Sequence, residues 1–185
     1  LYDEKSPDSL VARALPALAR DGFLPPNDLA GFLESESPLV RASAVMSLNP
    51  SRPLPPEVKQ VVLERLDDED GDVRRAALLA AGPLKLREAV PNLIAKAKSA
   101  EGEDRTAALR ALCALPDPAA IAFYVSALAD PDPSLRRAGV SALLAIRDRA
   151  EAEIRRLANR SDLAPEASLA LARVLARFEP VRGWR

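Results

Sequence analysis

One stretch, DPDPSLRRAGVSAL at residues 130–143, decides the fold. Its Asp-Pro pairs predict a turn and a helix start, and its Ala, Leu and Val positions predict an amphipathic helix. Variants recur as SPLVRASAVMSL at 37–48, DGDVRRAAL at 70–78 and EDRTAALRAL at 103–112. Fainter copies lie at 10–18 and 161–171. The stretch is therefore one unit of a repeat.

The repeat has a nearly constant period. Anchors at Leu10, Val40, Val73, Asp104 and Leu135 are spaced by 30, 33, 31 and 31 residues. A period in that range is typical of a solenoid. Turn signals between the copies predict about eleven helices in antiparallel pairs, and no stretch alternates with the period of a strand. We expect an all-α array over residues 1–178, as a single domain, and a linker at 179–185.

The composition indicates a core of small side chains. The 185 residues are 48% hydrophobic but only 4% aromatic. Closely packed helices suit such residues. The repeat pattern predicts that the following residues are buried: Leu10, Val40, Val45, Leu48, Val73, Leu78, Leu109, Leu112, Leu135, Val140 and Leu143.

The charges are unevenly distributed. The net charge is −1, with −7 over residues 1–72 and +5 over residues 134–185. A near-neutral chain is unlike one built to cover nucleic acid.

The chain lacks the residues that several classes of catalytic and metal-binding site require. The chain has no histidine and one cysteine, Cys113, so neither an internal disulfide nor a multi-cysteine metal site can form. Without a histidine to activate it, we expect Cys113 to be a packed residue. The acidic run at 67–72 is unlike an EF-hand loop, because residue 78, where the twelfth-position Glu would stand, is Leu. We expect Asp70 or Asp72 to cap the next helix and predict no catalytic residue, cofactor or metal.

The ends of the chain suggest a longer parent protein. The chain begins at Leu1 rather than Met, and no apolar run approaches the roughly 20 residues of a membrane span. We expect a soluble protein whose compartment the sequence leaves open. The first helix carries Leu10, Leu15 and Leu18, and the last carries an apolar stripe that runs on to Trp184. Since terminal repeats need polar caps, we expect a terminal helix to pack on another domain or on a second copy.

The repeat resembles the HEAT-repeat family, including its bacterial HEAT-like branch. The shared motif is Asp, five residues and Arg, with Val or Leu before the Arg, as in Asp68 with Arg74 and Asp130 with Arg136. Ser35 and Ser99 replace the acid before Arg41 and Arg105. The resemblance implies a right-handed α-solenoid of about five to six helix pairs. It also implies that Asp68, Arg74, Asp130 and Arg136 belong to a structural ladder between neighbouring repeats.

A second resemblance concerns residues 175–185, which read LARFEPVRGWR. They look like the exit from HEAT arrays in large bacterial proteins that combine a propeller, HEAT repeats and a c-type haem domain. The chain has no Cys-x-x-Cys-His motif, so no redox role follows. This resemblance would place the protein in the periplasm rather than the cytoplasm.

One face of the second helices is the candidate partner surface. At 100° per residue, positions 42, 46 and 49 lie opposite a buried face formed by Val40, Ala44, Val45 and Leu48. In HEAT-like arrays the second helices line the concave surface. The candidate binding residues on it are Met46, Arg75, Leu79, Arg110 and Arg137. Such a groove could hold an acidic peptide or a phosphate backbone, or it could be a solvated helix face.

These observations favour a non-catalytic scaffold or protein-interaction module. It would bind a partner along the concave face or space adjacent domains, and the inference rests on analogy with the fold. The alternative is a nucleic-acid-binding HEAT-like protein of the alkylpurine DNA glycosylase kind, which the acidic N-terminal half and the scarcity of aromatic residues disfavour. A chromophore-lyase-like HEAT protein is a third class.

Overall fold

The computed structural model describes residues 6–178, and every α-helix and 3₁₀ turn in them belongs to an all-α array. The α-helices are α1 (Pro7–Arg20), α2 (Pro26–Leu33), α3 (Pro38–Met46), α4 (Pro56–Glu64), α5 (Gly71–Ala81), α6 (Val90–Ser99), α7 (Gly102–Ala114), α8 (Ile121–Ala127), α9 (Pro133–Ala145), α10 (Arg147–Ala158) and α11 (Pro165–Ala176). Residues 6–178 contain no strand, and none of their helices is both long and apolar enough to cross a membrane.

The helices repeat with the period that the sequence predicts. The odd-numbered helices begin at Pro7, Pro38, Gly71, Gly102, Pro133 and Pro165, so successive starts are 31, 33, 31, 31 and 32 residues apart. One even-numbered helix lies between each two of them. The eleven α-helices therefore form five pairs and one additional helix, α1, and the prediction of an α-solenoid is confirmed. The right-handed superhelix stays a prediction.

Proline and aspartate fix where the helices begin. Proline occupies the first turn of α1, α2, α3, α4, α9 and α11, where a missing N–H costs no hydrogen bond. The carboxylate of Asp70 accepts hydrogen bonds from the N–H groups of Asp72 and Val73 at the start of α5. Asp132 accepts one from the N–H of Ser134 at the start of α9. The predicted cap at Asp70 is thus confirmed.

The described residues divide into two compact units, 6–111 and 112–178. In the first unit, α3 lies between α1 and α5, so these second helices form one layer. The first helices α2 and α4 pack together behind them, and α2 also contacts α3. Fully buried leucines, among them Leu15, Leu33 and Leu78, fill the space between the layers.

In the second unit, α8 packs closely on α9, and α11 contacts α8, α9 and α10. The two helices approach closely at Gly139 of α9, where an added Cβ would lie 2.9 Å from the carbonyl oxygen of Tyr124. A glycine is therefore needed where α9 meets the backbone of α8. The Tyr124 side chain is completely buried, and its hydroxyl oxygen accepts a hydrogen bond of 2.9 Å from the N–H of Asp117. Burial raises the pKa of Tyr124 to about 12.

The predicted core is correct at nine positions and wrong at Leu10. Leu10 is 56% exposed, because α1 turns Ser9, Ala12, Leu15 and Ala19 toward its neighbours instead. Small residues on that face let α1 approach α3, whose Ser43 hydroxyl donates a hydrogen bond to the carbonyl of Ala12. Val140 is only half-buried.

Both ends expose some apolar surface. Leu10 and Leu18 are exposed on α1, while Leu15 is buried. On α11, Leu169 is exposed and Leu171 is buried, and Phe178, two residues after the end of the helix, is half-buried. Packing of a terminal helix on another domain or a second copy stays a prediction. The predicted linker at 179–185 lies outside the described residues, as do Val181 and Trp184.

Candidate functional site

Two exposed apolar side chains mark the predicted face in the first unit. Met46, at the end of α3, is 60% exposed, and Leu79 on α5 is 44% exposed. They line a groove of ≈ 790 Å³ together with Leu39, Ala42 and Ala76. Exposed large apolar residues that gather in one concavity are more informative than scattered ones.

The floor of this groove follows from the buried faces of the helices around it. On α5 the buried residues are Val73, Ala76, Ala77, Leu78 and Ala81. These buried residues cover somewhat more than half of the helix circumference. Leu79 lies on the remaining, solvent-exposed side, at the edge of the groove. The small Ala42 and Ala76 leave the space that the larger Met46 and Leu79 border.

A second concavity, of ≈ 550 Å³, continues the same face between α5 and α7. Arg75 and Leu79 line it from α5, and Thr106 and Arg110 line it from α7. The structure therefore brings four of the five predicted binding residues to two adjoining grooves. The fifth, Arg137, lies on α9 in the second unit.

The charge of Arg75 is already matched within the protein. Its guanidinium forms ion pairs with Asp72, with Glu103 at 3.2 Å and with Asp104 at 3.7 Å. Three carboxylates around one guanidinium leave no surplus positive charge there for a phosphate. The main effect of Arg75 is to tie α5 to the first turn of α7.

A buried ion pair joins successive repeats in the first unit. The Nε and Nη2 atoms of Arg41 donate hydrogen bonds of 3.0 and 2.8 Å to the two carboxylate oxygens of Asp68. The side chains are only 6% and 2% exposed. Asp68 also accepts hydrogen bonds from Nη1 of Arg65 and the N–H of Asp70, both at 3.0 Å. Each carboxylate oxygen of Asp68 thus accepts two hydrogen bonds, from charged or peptide donors.

Hydrogen bonds dominate the ionisation of this pair. Burial alone would raise the pKa of Asp68, but the donors Arg41, Asp70 and Arg65 outweigh it and lower the pKa. Its hydrogen bond to Asp68 raises the pKa of Arg41 against the effect of burial. Both groups are therefore charged in the folded protein at neutral pH.

Three of the repeat arginines share a local role besides this pairing, whereas Nε of Arg105 donates to the carbonyl of Ala97 instead. In these three arginines Nη1 donates to the carbonyls of the residues six and five positions before it, at 2.8 to 3.0 Å. The contacts are Arg41 with Ser35 and Glu36, Arg74 with Asp68 and Glu69, and Arg136 with Asp130 and Pro131. The same guanidinium therefore fixes the turn that precedes its own helix.

Two residues of this network, Arg41 and Asp104, lie outside the sequence motif. Ser35 replaces the acid before Arg41, yet Arg41 pairs with the acid of the next repeat, Asp68. Arg74 pairs with Asp104 at 3.2 Å, although the motif position of that next repeat holds Ser99. The spacing between Arg41 and Asp68, close to one repeat, was the available signal for the first pair. No motif pointed to the second.

Three other acidic residues of the run at 67–72 have separate partners, and Glu69, 90% exposed, lies 3.9 Å from the Arg41 guanidinium that Asp68 binds. Asp67 pairs with Lys96 at 2.6 Å and accepts a hydrogen bond from the Asn92 amide. Asp70 caps α5, and Asp72 pairs with Arg75. These carboxylates point to different partners instead of converging on one centre, as a calcium loop requires.

The single cysteine is a packed residue. Cys113 is buried near the end of α7, and desolvation raises the pKa of its thiol to about 12. A nucleophilic cysteine needs the opposite shift, because the thiolate is the reactive form.

The comparisons with known proteins agree with this architecture. A solved structure described as the crystal structure of an engineered protein, from the Northeast Structural Genomics Consortium, is similar with a TM-score of 0.57. The match covers 93% of this chain and 91% of that chain at 18% sequence identity, so it concerns the fold alone. No curated protein matches the chain. The family model for HEAT repeats matches residues 25–108 and 90–176, and the chain therefore belongs to the HEAT-repeat family.

Proposed function

We propose that this chain is a non-catalytic scaffold that binds a protein along the second-helix face of its first unit. That face is defined by Met46, Arg75, Leu79 and Arg110. HEAT repeats commonly mediate protein interactions, which is the general part of the proposal. The observation that carries the specific part is the exposure of Met46 and Leu79 over the groove of ≈ 790 Å³.

The chemistry of the groove favours a protein segment with apolar side chains. Leu39, Met46 and Leu79 offer aliphatic contacts, and methionine adapts its shape to different partners. The rim is polar, with Arg13, Asp72 and Arg75. An apolar centre with a polar rim is the usual composition of a protein interface. The partner would be a separate protein or another domain of a longer parent chain.

The ion pairs of Arg75 speak against a phosphate backbone on this face. Binding to nucleic acid depends on basic side chains that release counterions from phosphates. Arg75 instead faces Asp72, Glu103 and Asp104, whose charges would repel a polyanion. No observation supports a DNA glycosylase.

Site-specific photo-cross-linking in cells that produce the native chain tests the proposal. A photoreactive residue is placed at Met46, at Leu79 or, as a control, at the exposed Glu64 of α4. We expect one common protein adduct from positions 46 and 79 and none from position 64. Equal adducts at all three positions, or none at 46 and 79, would contradict the proposal.

A binding measurement with the identified protein completes the test. We expect Met46→Glu and Leu79→Glu each to weaken binding at least tenfold, since both side chains lie at the centre of the contact. Glu64→Lys should leave the affinity within twofold. Because all three side chains are exposed, their melting temperatures should stay close to that of the unmodified chain, which separates lost binding from lost folding.

A further inference from the structure

The second unit contains a different groove, of ≈ 930 Å³, between α9 and α11. Four arginines line it: Arg136 and Arg137 from α9, Arg173 from α11 and Arg177 at the C-cap of α11. Arg173 and Arg177 are one turn apart, and Leu169 precedes Arg173 by a further turn on the same side. Two helices thus present arginines toward the same space.

Most of these charges have no partner in the protein. Arg136 is engaged with the carbonyls of Asp130 and Pro131. Within residues 6–178, no ion pair or side-chain hydrogen bond joins Arg137, Arg173 or Arg177 to another residue. This contrasts with Arg75 of the first unit, which has three carboxylates around it.

Helix electrostatics does not explain the arrangement. Cations are favourable at the C-terminal end of a helix, which suits Arg173 in the last turn of α11 and Arg177 at its C-cap. Arg137 lies in the second turn of α9, beyond the first turn that the helix dipole affects, so the dipole gives no reason for a cation there. Arg173 and Arg177, four residues apart, also repel each other. An external anion would offset this repulsion.

The lining distinguishes between the possible anions. Leu169 is 56% exposed at the groove, and Val140 and Leu128 also line it. Glu166 and Asp130 are present at the same groove and would repel a continuous phosphate backbone. Separate carboxylates with apolar side chains between them fit this pattern, and the planar fork of arginine binds carboxylates through two parallel hydrogen bonds.

We infer that the α9–α11 groove binds an acidic amphipathic peptide segment of a partner protein. Carboxylates of the segment pair with Arg137, Arg173 and Arg177, and an apolar side chain contacts Leu169. This site belongs to the second unit and does not involve the groove at Met46 and Leu79.

Fluorescence anisotropy with a labelled probe peptide of Glu and Leu residues tests the inference on the full chain. The decisive variant is Arg137→Gln combined with Arg173→Gln. The matched control is Arg155→Gln combined with Arg156→Gln on α10, which removes the same charge from arginines that pair with Glu151 and Glu153. We expect the first double variant to weaken binding at least tenfold and the second to change it less than twofold. Circular dichroism melting confirms that both remain folded.

Two further probes separate the alternatives. A Glu and Gly peptide of equal charge should bind more weakly than the Glu and Leu probe, because it has nothing to contact Leu169. A single-stranded oligonucleotide of equal charge should also bind more weakly. The inference is overturned if the Glu and Leu probe does not bind at low salt, if both double variants weaken binding equally, or if either of the other probes binds as tightly.

Discussion

Replacing Asp68 by Asn should destabilise the first unit more than any comparable change in a surface ion pair. The substitution removes the charge of a carboxylate that is 2% exposed. It also places an amide N–H₂ group opposite N–H donors, with which it cannot form a hydrogen bond. Arg41, 6% exposed, then lies buried without its hydrogen-bonded counterion and keeps the largely exposed Glu69 carboxylate 3.9 Å away. Breaking a buried pair in this way typically costs about 3–5 kcal/mol.

We expect a value near the lower limit, about 3 kcal/mol, because Arg41 keeps its hydrogen bonds to the carbonyls of Ser35 and Glu36. Urea denaturation followed by circular dichroism measures it. At a slope of about 2 kcal/mol per molar urea, the midpoint should fall by about 1.5 M.

Two controls make the experiment decisive. Asp162 pairs with Arg160 at the surface, where both side chains are more than half exposed, so Asp162→Asn should leave the midpoint unchanged. The double variant Arg41→Met with Asp68→Leu should be more stable than Asp68→Asn, because it removes the buried charge of Arg41 together with its partner. If Asp68→Asn unfolds at the same urea concentration as Asp162→Asn, the reasoning about this pair is refuted.

Two other predictions concern pH and helix packing. The folded pKa of Asp68 is below its ordinary value, so its contribution to stability is complete above the unfolded pKa of about 4 and is lost as the pH falls below it. The difference in unfolding free energy between the unmodified chain and Asp68→Asn should therefore shrink between pH 5 and pH 3, and a constant difference would contradict it. Gly139→Ala should destabilise the second unit by about 1–3 kcal/mol, because its Cβ would meet the Tyr124 carbonyl at 2.9 Å. Gly31→Ala in α2, with nothing within 4 Å of the added Cβ, should instead be neutral or stabilising in the same melting experiment.

The amino-acid sequence by itself determined the repeat and therefore the fold class. Period, turn positions and helix starts are local properties, since Asp-Pro and Gly signals act within a few residues of where they stand. The structure accordingly has its helix starts 31 to 33 residues apart and a cap at Asp70. The absence of histidine, which several kinds of catalytic site require, is likewise a property of composition.

The tertiary structure decided which side chains meet across repeats. Leu10 fits an apolar pattern, yet α1 buries the face with Ser9 and Ala12 because α3 approaches there. Arg75 and Arg137 occupy the same position in their repeats, but their surroundings differ. The charge of Arg75 is matched by Asp72, Glu103 and Asp104, and the charge of Arg137 is matched by no described residue. Periodicity fixes the direction of a side chain on its own helix, but the partner comes from another helix, and only packing brings the two together.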